Sequence, residues 1–257
     1  MEREYVGLIP AAGAAKRVSP LPGSKELFPI GFREVEIDGH VEIRPKVVSQ
    51  YLIDNMFRAG AGKIWMVLGK GKTDIMQYYG DGSEFGGHIG YLIMDRMWGM
   101  PYTLDQAWPW INHSHVLFGM PDTIFTPTDA FSRLVQDHTA TGADVTLGIF
   151  PTDHPEKLCP VLLDDSGRVL GMTDKPKQTD LRNSWGCACW SPTFTEFMHQ
   201  FLCGLEQPRK EVVLADVFRA AMEEGLNVRG ILFDEGEYID VGTPEDLVVA
   251  VHRFSRG

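Results

Sequence analysis

Residues 8–30 read LIPAAGAAKRVSPLPGSKELFPI. A short apolar run at 5–10 leads into small residues only: Ala11, Ala12, Gly13, Ala14 and Ala15. Lys16 and Arg17 follow, and Lys25 comes after a loop broken by Pro and Gly. Small residues directly after a strand let backbone N–H groups approach a bulky anion closely. Arg presents a planar fork of donors to phosphate oxygens, and Lys a mobile point charge. The chemistry this pattern suits is phosphate binding. An ordinary strand-to-loop joint with solvated cations would look the same, so the rest of the chain must decide.

Two acids stand in comparable places. Asp122 follows the apolar run at 114–120, at the carboxyl end of a strand, the edge where open α/β sheets bind ligands. Asp240 closes another short apolar run, just before the turn Gly242-Thr243-Pro244. Either alone is explained by turn and cap chemistry, which favours Asp. Brought together beside a phosphate cradle, they suit Mg²⁺, which takes few protein carboxylates and completes its shell with water and substrate phosphates.

The elements needed to position these groups follow from the patterning. Val, Glu and Ile alternate around Asp38-Gly39 over 35–43, which predicts a hairpin. Pro45 opens a predicted helix at 46–59, closed by Gly60. Strands are predicted at 63–68, 88–94, 114–120, 143–150, 228–233 and 238–240, and helices at 73–79, 128–138, 192–201 and 213–224. A short helix at 103–108 is expected to stop at Pro109, and GDGSEFG at 80–86 to form a loop. Runs at 161–163 and 169–172 flank Asp164-Asp165-Ser166-Gly167 as a second hairpin. The last helix should start at Pro244, capped by Thr243, and end near Arg253. Alternating strands and helices define an α/β chain. With no low-complexity linker or repeat, one domain is expected over 1–257.

Composition narrows the function classes. The 257 residues are 44% hydrophobic and 23% charged, which is globular rather than disordered. With 24 basic and 35 acidic residues the formal charge is −11, against nucleic-acid or anionic-membrane partners. No apolar run is long enough to span a bilayer, and MEREYVGLIP does not read as a signal peptide. Cys159, Cys187, Cys189 and Cys203 show neither CxxC nor disulfide-rich spacing. They read as reduced thiols, so a cytoplasmic location is expected.

Taken together, the blocks resemble the sugar-1-phosphate nucleotidyltransferases, in particular glucose-1-phosphate thymidylyltransferase and its uridylyltransferase relatives. AAGAAKRVSPLPGSKELFPI resembles the family's glycine-rich signature, with Arg17 and Lys25 as its cations. GDGSEFG resembles a loop of the thymidylyltransferase branch. GMPDTIF and YIDVGTPEDL resemble the segments carrying the two metal aspartates, here Asp122 and Asp240. DKPK at 174–177 resembles the Glu-Lys-Pro block, whose lysine, here Lys175, holds the sugar phosphate. The blocks come in the family's order and cover nearly the whole chain.

The resemblance implies a Rossmann-like nucleotidyltransferase domain with a mixed, mostly parallel central sheet flanked by helices. Residues to about 125 would bind the nucleoside triphosphate, and about 126–257 the sugar phosphate. A sugar 1-phosphate, already ionised, would attack the α-phosphorus of dTTP or UTP. Catalysis would then be positioning and charge neutralisation. Arg17 and Lys25 would neutralise the triphosphate, Asp122 and Asp240 hold Mg²⁺, and Lys175 the attacking phosphate. Ala11, Ala12 and Gly13 would let the nucleotide lie against the backbone, and Gly99 the base. The family is often oligomeric, which leaves a homo-oligomer open. Departures include Ala15 for a usual glycine, Cys159-Pro160-Val161 for a Tyr-Gly-Val-like sugar contact, and Pro121-Asp122-Thr123 for Gly-Asp-Asn. They leave two alternatives: a non-catalytic regulatory subunit, or a cytidylyltransferase acting on another phosphorylated polyol or sugar.

Weaker signals read structurally. His113-Ser114-His115 lacks a third ligand nearby in sequence, and Cys187 and Cys189, two apart on a strand, are packing thiols. Trp98, Trp108 and Trp110 are assigned to packing, with stacking on a base or sugar as the other reading. Glu211 is either a contact to sugar hydroxyls or a solvated acid, and Asp216 a structural one.

Overall fold

The computed structural model describes residues 3–13, 20–95, 98–205 and 211–254. In chain order the first half runs β1 (Tyr5–Ala11), β2 (Pro29–Ile37), β3 (His40–Val47), α1 (Val48–Arg58), β4 (Lys63–Gly69), α2 (Thr73–Tyr79), β5 (His88–Met94), α3 (Met100–Asp105), α4 (Trp108–Ile111), β6 (His115–Gly119) and β7 (Thr123–Thr126). The second half runs α5 (Ala130–Thr141), β8 (Val145–Pro151), β9 (Val161–Leu163), β10 (Val169–Met172), β11 (Asn183–Trp190), α6 (Pro192–Gly204), α7 (Leu214–Glu223), β12 (Val228–Leu232), β13 (Glu237–Asp240) and α8 (Pro244–Phe254).

Seven strands form the central sheet in the order β12-β8-β11-β6-β1-β4-β5. Strand β11 runs antiparallel to both neighbours, β6 and β8, and the other pairings are parallel. This is the mixed, mostly parallel α/β sheet flanked by helices that the sequence predicts.

β11 shows how the sheet divides the core. Side chains alternate across a strand, so Cys187 and Cys189 join Leu117 and Phe150 on one face, while Ala188 and Trp190 join Phe118 and Phe194 on the other. A central strand buried on both faces needs a nearly continuous apolar sequence, and SWGCACW supplies it. The thiols at 187 and 189 are packing groups, free of any disulfide.

Three two-stranded sheets lie outside the centre: β2 with β3, β9 with β10, and β7 with β13. The β2–β3 hairpin turns at Asp38 and Gly39, whose φ values of 51° and 78° are both positive, as a tight primed turn requires. At α8, Thr243 Oγ1 accepts the Asp246 N–H at 3.2 Å and donates to its carboxylate at 2.6 Å. This is the predicted cap, closed from both sides.

Two prolines correct the expected boundaries. Pro45 does not open α1: it pairs with Phe32 inside β3, and the helix begins at Val48. A two-stranded ribbon has unpaired edges, where a residue lacking an N–H is tolerated. Pro109 does not stop a helix either. The segment 103–108 splits, with α3 ending at Asp105 and Pro109 in the first turn of α4, where its fixed φ is suited to starting a helix. No helix among the described residues is long and apolar enough to cross a membrane.

Candidate active site

Strand β1 lies inside the sheet between β6 and β4 with Leu8 and Ile9 fully buried, and delivers Ala12 and Gly13 to the carboxyl edge. The parallel neighbour β6 pairs Phe118 with Leu8, so it ends on the same edge and delivers Asp122 beside them. A cavity of about 530 Å³ opens there, lined by Ala12, Gly13, Lys25, Gly99, Asp122 and Glu211 among others. A Cβ at Gly13 would meet no atom of the described residues within 4 Å, so packing among them does not demand a glycine there.

Asp74 fixes the loop that carries Lys25. Its carboxylate accepts the Ser24 N–H at 2.6 Å and the Ser24 hydroxyl at 2.8 Å. Partial burial pushes the Asp74 carboxyl up, but the hydrogen bonds from Ser24 and Ile75 outweigh it and hold the group below its ordinary value. Lys25 then turns its ammonium group onto Asp122 in a largely buried ion pair. Next to it Glu26, 1% exposed, binds Lys72 through Oε1 at 2.6 Å. Its Oε2 has no hydrogen-bond partner among the described residues, although Glu26 lines the cavity. An unsatisfied buried oxygen costs about 1–3 kcal/mol, so a ligand donor would relieve it. A second cavity of about 510 Å³ shares Ala12 and Gly13 and brings in Lys70, Lys72 and Asp74.

The small sheet of β7 and β13 brings Asp240 to Asp122. Ile239 pairs with Ile124 and Asp240 with Thr123, and Val241 donates its N–H to the Asp122 carbonyl at 2.8 Å. Tyr238 reports the field of both acids. Burial pushes its phenol far up, and the carboxylates of Asp240 and then Asp122 add to the rise. Its ring packs on Phe150, and a Cβ at Gly186 would strike it at 2.3 Å, which explains the glycine inside β11. Asp240 lines a larger neighbouring cavity of about 1260 Å³ with Lys157, Arg182 and Thr243.

The expected site residues separate into groups. Lys25, Asp122, Ala12, Gly13 and Gly99 line the first cavity together, and Asp240 adjoins through the backbone. Ala11 does not line it: its side chain is 1% exposed and belongs to the core. Gly99 has φ of 117°, and a Cβ there would meet the Val212 carbonyl at 2.3 Å, so protein packing alone requires it. Lys175 is exposed, lies outside the linings of these cavities, and has a positive φ of 46°; its N–H donates to the Leu158 carbonyl at 2.7 Å. Arg17 lies outside the described residues, as do Ala14, Ala15 and Lys16. Trp98 lines the cavity edge-on to Tyr102, whereas Trp108 stacks on His199 and Trp110 tilts against Trp65. Asp216 pairs with Arg219, three residues on in α7.

Sequence reasoning missed Glu26, Lys72 and Asp74. Nothing local marks them, because each acts through a partner brought near by β4 and α2.

The donor set fits a hard cation. Among the described residues no group of three or more His, Cys, Asp or Glu could hold a metal. A pair of carboxylates such as Asp122 and Asp240 is what Mg²⁺ accepts, since that ion takes its other oxygens from phosphate and water.

Comparison with known proteins gives the class. The nucleotidyl transferase family model matches residues 6–256, and the chain belongs to that family. It is 23% identical to the low-salt glycan biosynthesis nucleotidyltransferase Agl11 of Haloferax volcanii, over 95% of this chain and 64% of that protein. It is 23% identical to the glucose-1-phosphate thymidylyltransferase of Neisseria meningitidis, over 94% of this chain and 79% of that one. A solved UDP-glucose pyrophosphorylase, complexed with UDP-glucose, shares the fold at a TM-score of 0.79 and 16% identity, covering 98% of both chains. The chain thus spans less than two-thirds of the length of Agl11 and about four-fifths of the meningococcal relative.

Proposed function

We propose that the chain transfers a nucleotidyl group from a nucleoside triphosphate, with dTTP or UTP favoured, to a sugar 1-phosphate, giving a nucleoside-diphosphate sugar and pyrophosphate. A phosphate oxygen of the sugar attacks the α-phosphorus as the bond to pyrophosphate breaks in line. That nucleophile is ionised at neutral pH, so the site needs charge and alignment rather than a general base. The observation that carries this reading is the junction of Asp122 and Asp240 beside the Lys25 ammonium at the sheet's carboxyl edge.

In this reading Ala12 and Gly13 give the triphosphate access to backbone, while Lys25, and Arg17 from the preceding segment, balance its charge. Asp122 and Asp240 hold Mg²⁺, which when bound lowers the negative charge on the phosphates. Lys25 exchanges its contact with Asp122 for phosphate oxygens. The part to about residue 125 serves the nucleotide and the remainder the sugar phosphate, with Lys175 assigned to the attacking phosphate by resemblance. A matrix of nucleoside triphosphates and sugar 1-phosphates with Mg²⁺, followed by pyrophosphate release, tests this. Release is expected with dTTP or UTP. A preference for CTP would move the assignment to the cytidylyl class, and no release across the matrix would overturn it.

A further inference from the structure

Behind the cavity wall, α3 and α6 hold a cluster that nucleotidyl transfer does not use. His199 Nδ1 lies 3.0 Å from Asp105 Oδ1, and the ring's Nε2 lies 3.7 Å from Cys203 Sγ. Against a carboxylate, Nδ1 is the donor. Nε2 is then the acceptor, facing the thiol. Trp108 stacks on the imidazole at 4.0 Å between centroids and 10° between planes. Its own N–H is tied to Glu196 at 3.0 Å, so the ring beneath His199 is fixed. Among the described residues, the charged and titratable groups around the imidazole are Asp105 and Tyr102 from α3, and Glu196 and Cys203 from α6. Burial pushes the Asp105 carboxyl up and the His199 contact opposes the rise.

The other three thiols provide the contrast. Cys159, Cys187 and Cys189 are buried, and burial pushes each thiol up, that of Cys159 to about 11. Cys203 is exposed and is the cysteine among the four with a base in hydrogen-bond reach. A thiol beside an imidazole that is itself oriented by a carboxylate is the arrangement of an activated sulfur nucleophile.

We propose that Cys203, His199 and Asp105 form a thiol-modification site at which hydroperoxides oxidise Cys203 to the sulfenic acid. His199 Nε2 takes the thiol proton, and the sulfur lone pair attacks the distal oxygen of the hydroperoxide. An S–O bond forms as the O–O bond breaks. The departing alkoxide or hydroxide takes the proton back from His199 and leaves as alcohol or water. Sulfur loses two electrons and the peroxide gains them, so no further reductant is required. Asp105 is a positioning residue: it holds the tautomer. Its helix also carries Met100 and Thr103 to the cavity.

The test uses the full chain with hydrogen peroxide and a sulfenic-acid trap, read by peptide mass, with glutathione in the same tube as the reference thiol. Cys203 is expected to be oxidised about tenfold or more faster than glutathione at pH 7, while Cys159, Cys187 and Cys189 stay unlabelled. His199→Gln should remove that advantage and change the pH profile of labelling. Asp105→Asn should slow it to an intermediate rate, and provides the comparison if the histidine variant does not fold. Oxidation of wild-type Cys203 no faster than glutathione would overturn the proposal, as would an unchanged pH profile in the folded variants.

Discussion

The backbone N–H of Val241 donates to the carbonyl of Asp122 across 2.8 Å, joining two segments more than a hundred residues apart. With Asp240 opposite Thr123, this bond sets Asp240, the last residue of β13, beside Asp122, the residue just before β7. The candidate metal site is therefore built by strand pairing, and the side chains inherit their place from it.

Asp122→Asn and Asp240→Asn are each expected to lower pyrophosphate release about a hundredfold or more, by the loss of a charge that positions phosphate. Both replacements are isosteric and leave the Val241–Asp122 backbone bond in place. Asp122→Asn also leaves the Lys25 ammonium unpaired, so its thermal stability should fall and the kinetics are compared at a temperature where both variants are folded. Turnover retained in both variants would remove the metal assignment.

Asp74 offers a test of the loop rather than of the chemistry. Asp74→Asn keeps the size but weakens both bonds to Ser24, so Lys25 should be held less well and KM for the triphosphate should rise severalfold. The wild-type pH dependence has a definite sign. The folded carboxyl sits below its ordinary 3.8, so its contribution is full above that value and is lost as pH falls through the lowered one. Acid unfolding followed for both proteins should show the variant lacking this component.

Much of this was legible in the sequence because the relevant signals are local. The β2–β3 turn needs two positive φ values, which Asp38-Gly39 announces. Strand β4 is a mostly buried run of ordinary length, β5 an edge strand of the same length, and Thr243 followed by Pro244 spells a cap. The rest was set by contacts distant in sequence. Strand β7, four residues long, carries no such signal and is held by pairing with β13, which the run at 238–240 does announce. Pro45 and Pro109 carry the same local signal at either end of a helix, and only the ribbon and the tertiary packing decide between them. Glu26 sits in an unremarkable Lys-Glu-Leu run, and its burial against Lys72 depends on α2 and the turn before it.

Lys175 separates the two substrates. If it holds the attacking phosphate, Lys175→Ala should raise KM for the sugar 1-phosphate about tenfold or more and leave KM for the triphosphate nearly unchanged. Lys25→Ala should do the reverse, because Lys25 lies on the Ala12–Gly13 side against Asp122. Steady-state kinetics with each substrate varied in turn makes the comparison. Equal effects of Lys175→Ala on both substrates would place this lysine elsewhere in the mechanism.

His138 predicts an acid-sensitive fold independent of the site. Its ring is buried in α5, with Nε2 3.0 Å from His115 Nδ1 and Nδ1 3.2 Å from the Thr146 hydroxyl. Burial pushes its pKa down from 6.5 to about 4, and the neighbouring His115 adds to the fall. Above pH 6.5 the ring is neutral in both folded and unfolded chains and costs nothing. As pH falls through 6.5 the unfolded chain takes up a proton that the folded one refuses until about 4, so stability declines across that window. The shift corresponds to about 3 kcal/mol at its limit. Denaturant titrations from pH 7.5 to 4 should show the decline in the wild type and a shallower one in His138→Gln, which keeps hydrogen-bonding capacity but cannot ionise. Parallel slopes for the two proteins would mean that other groups govern the acid limb.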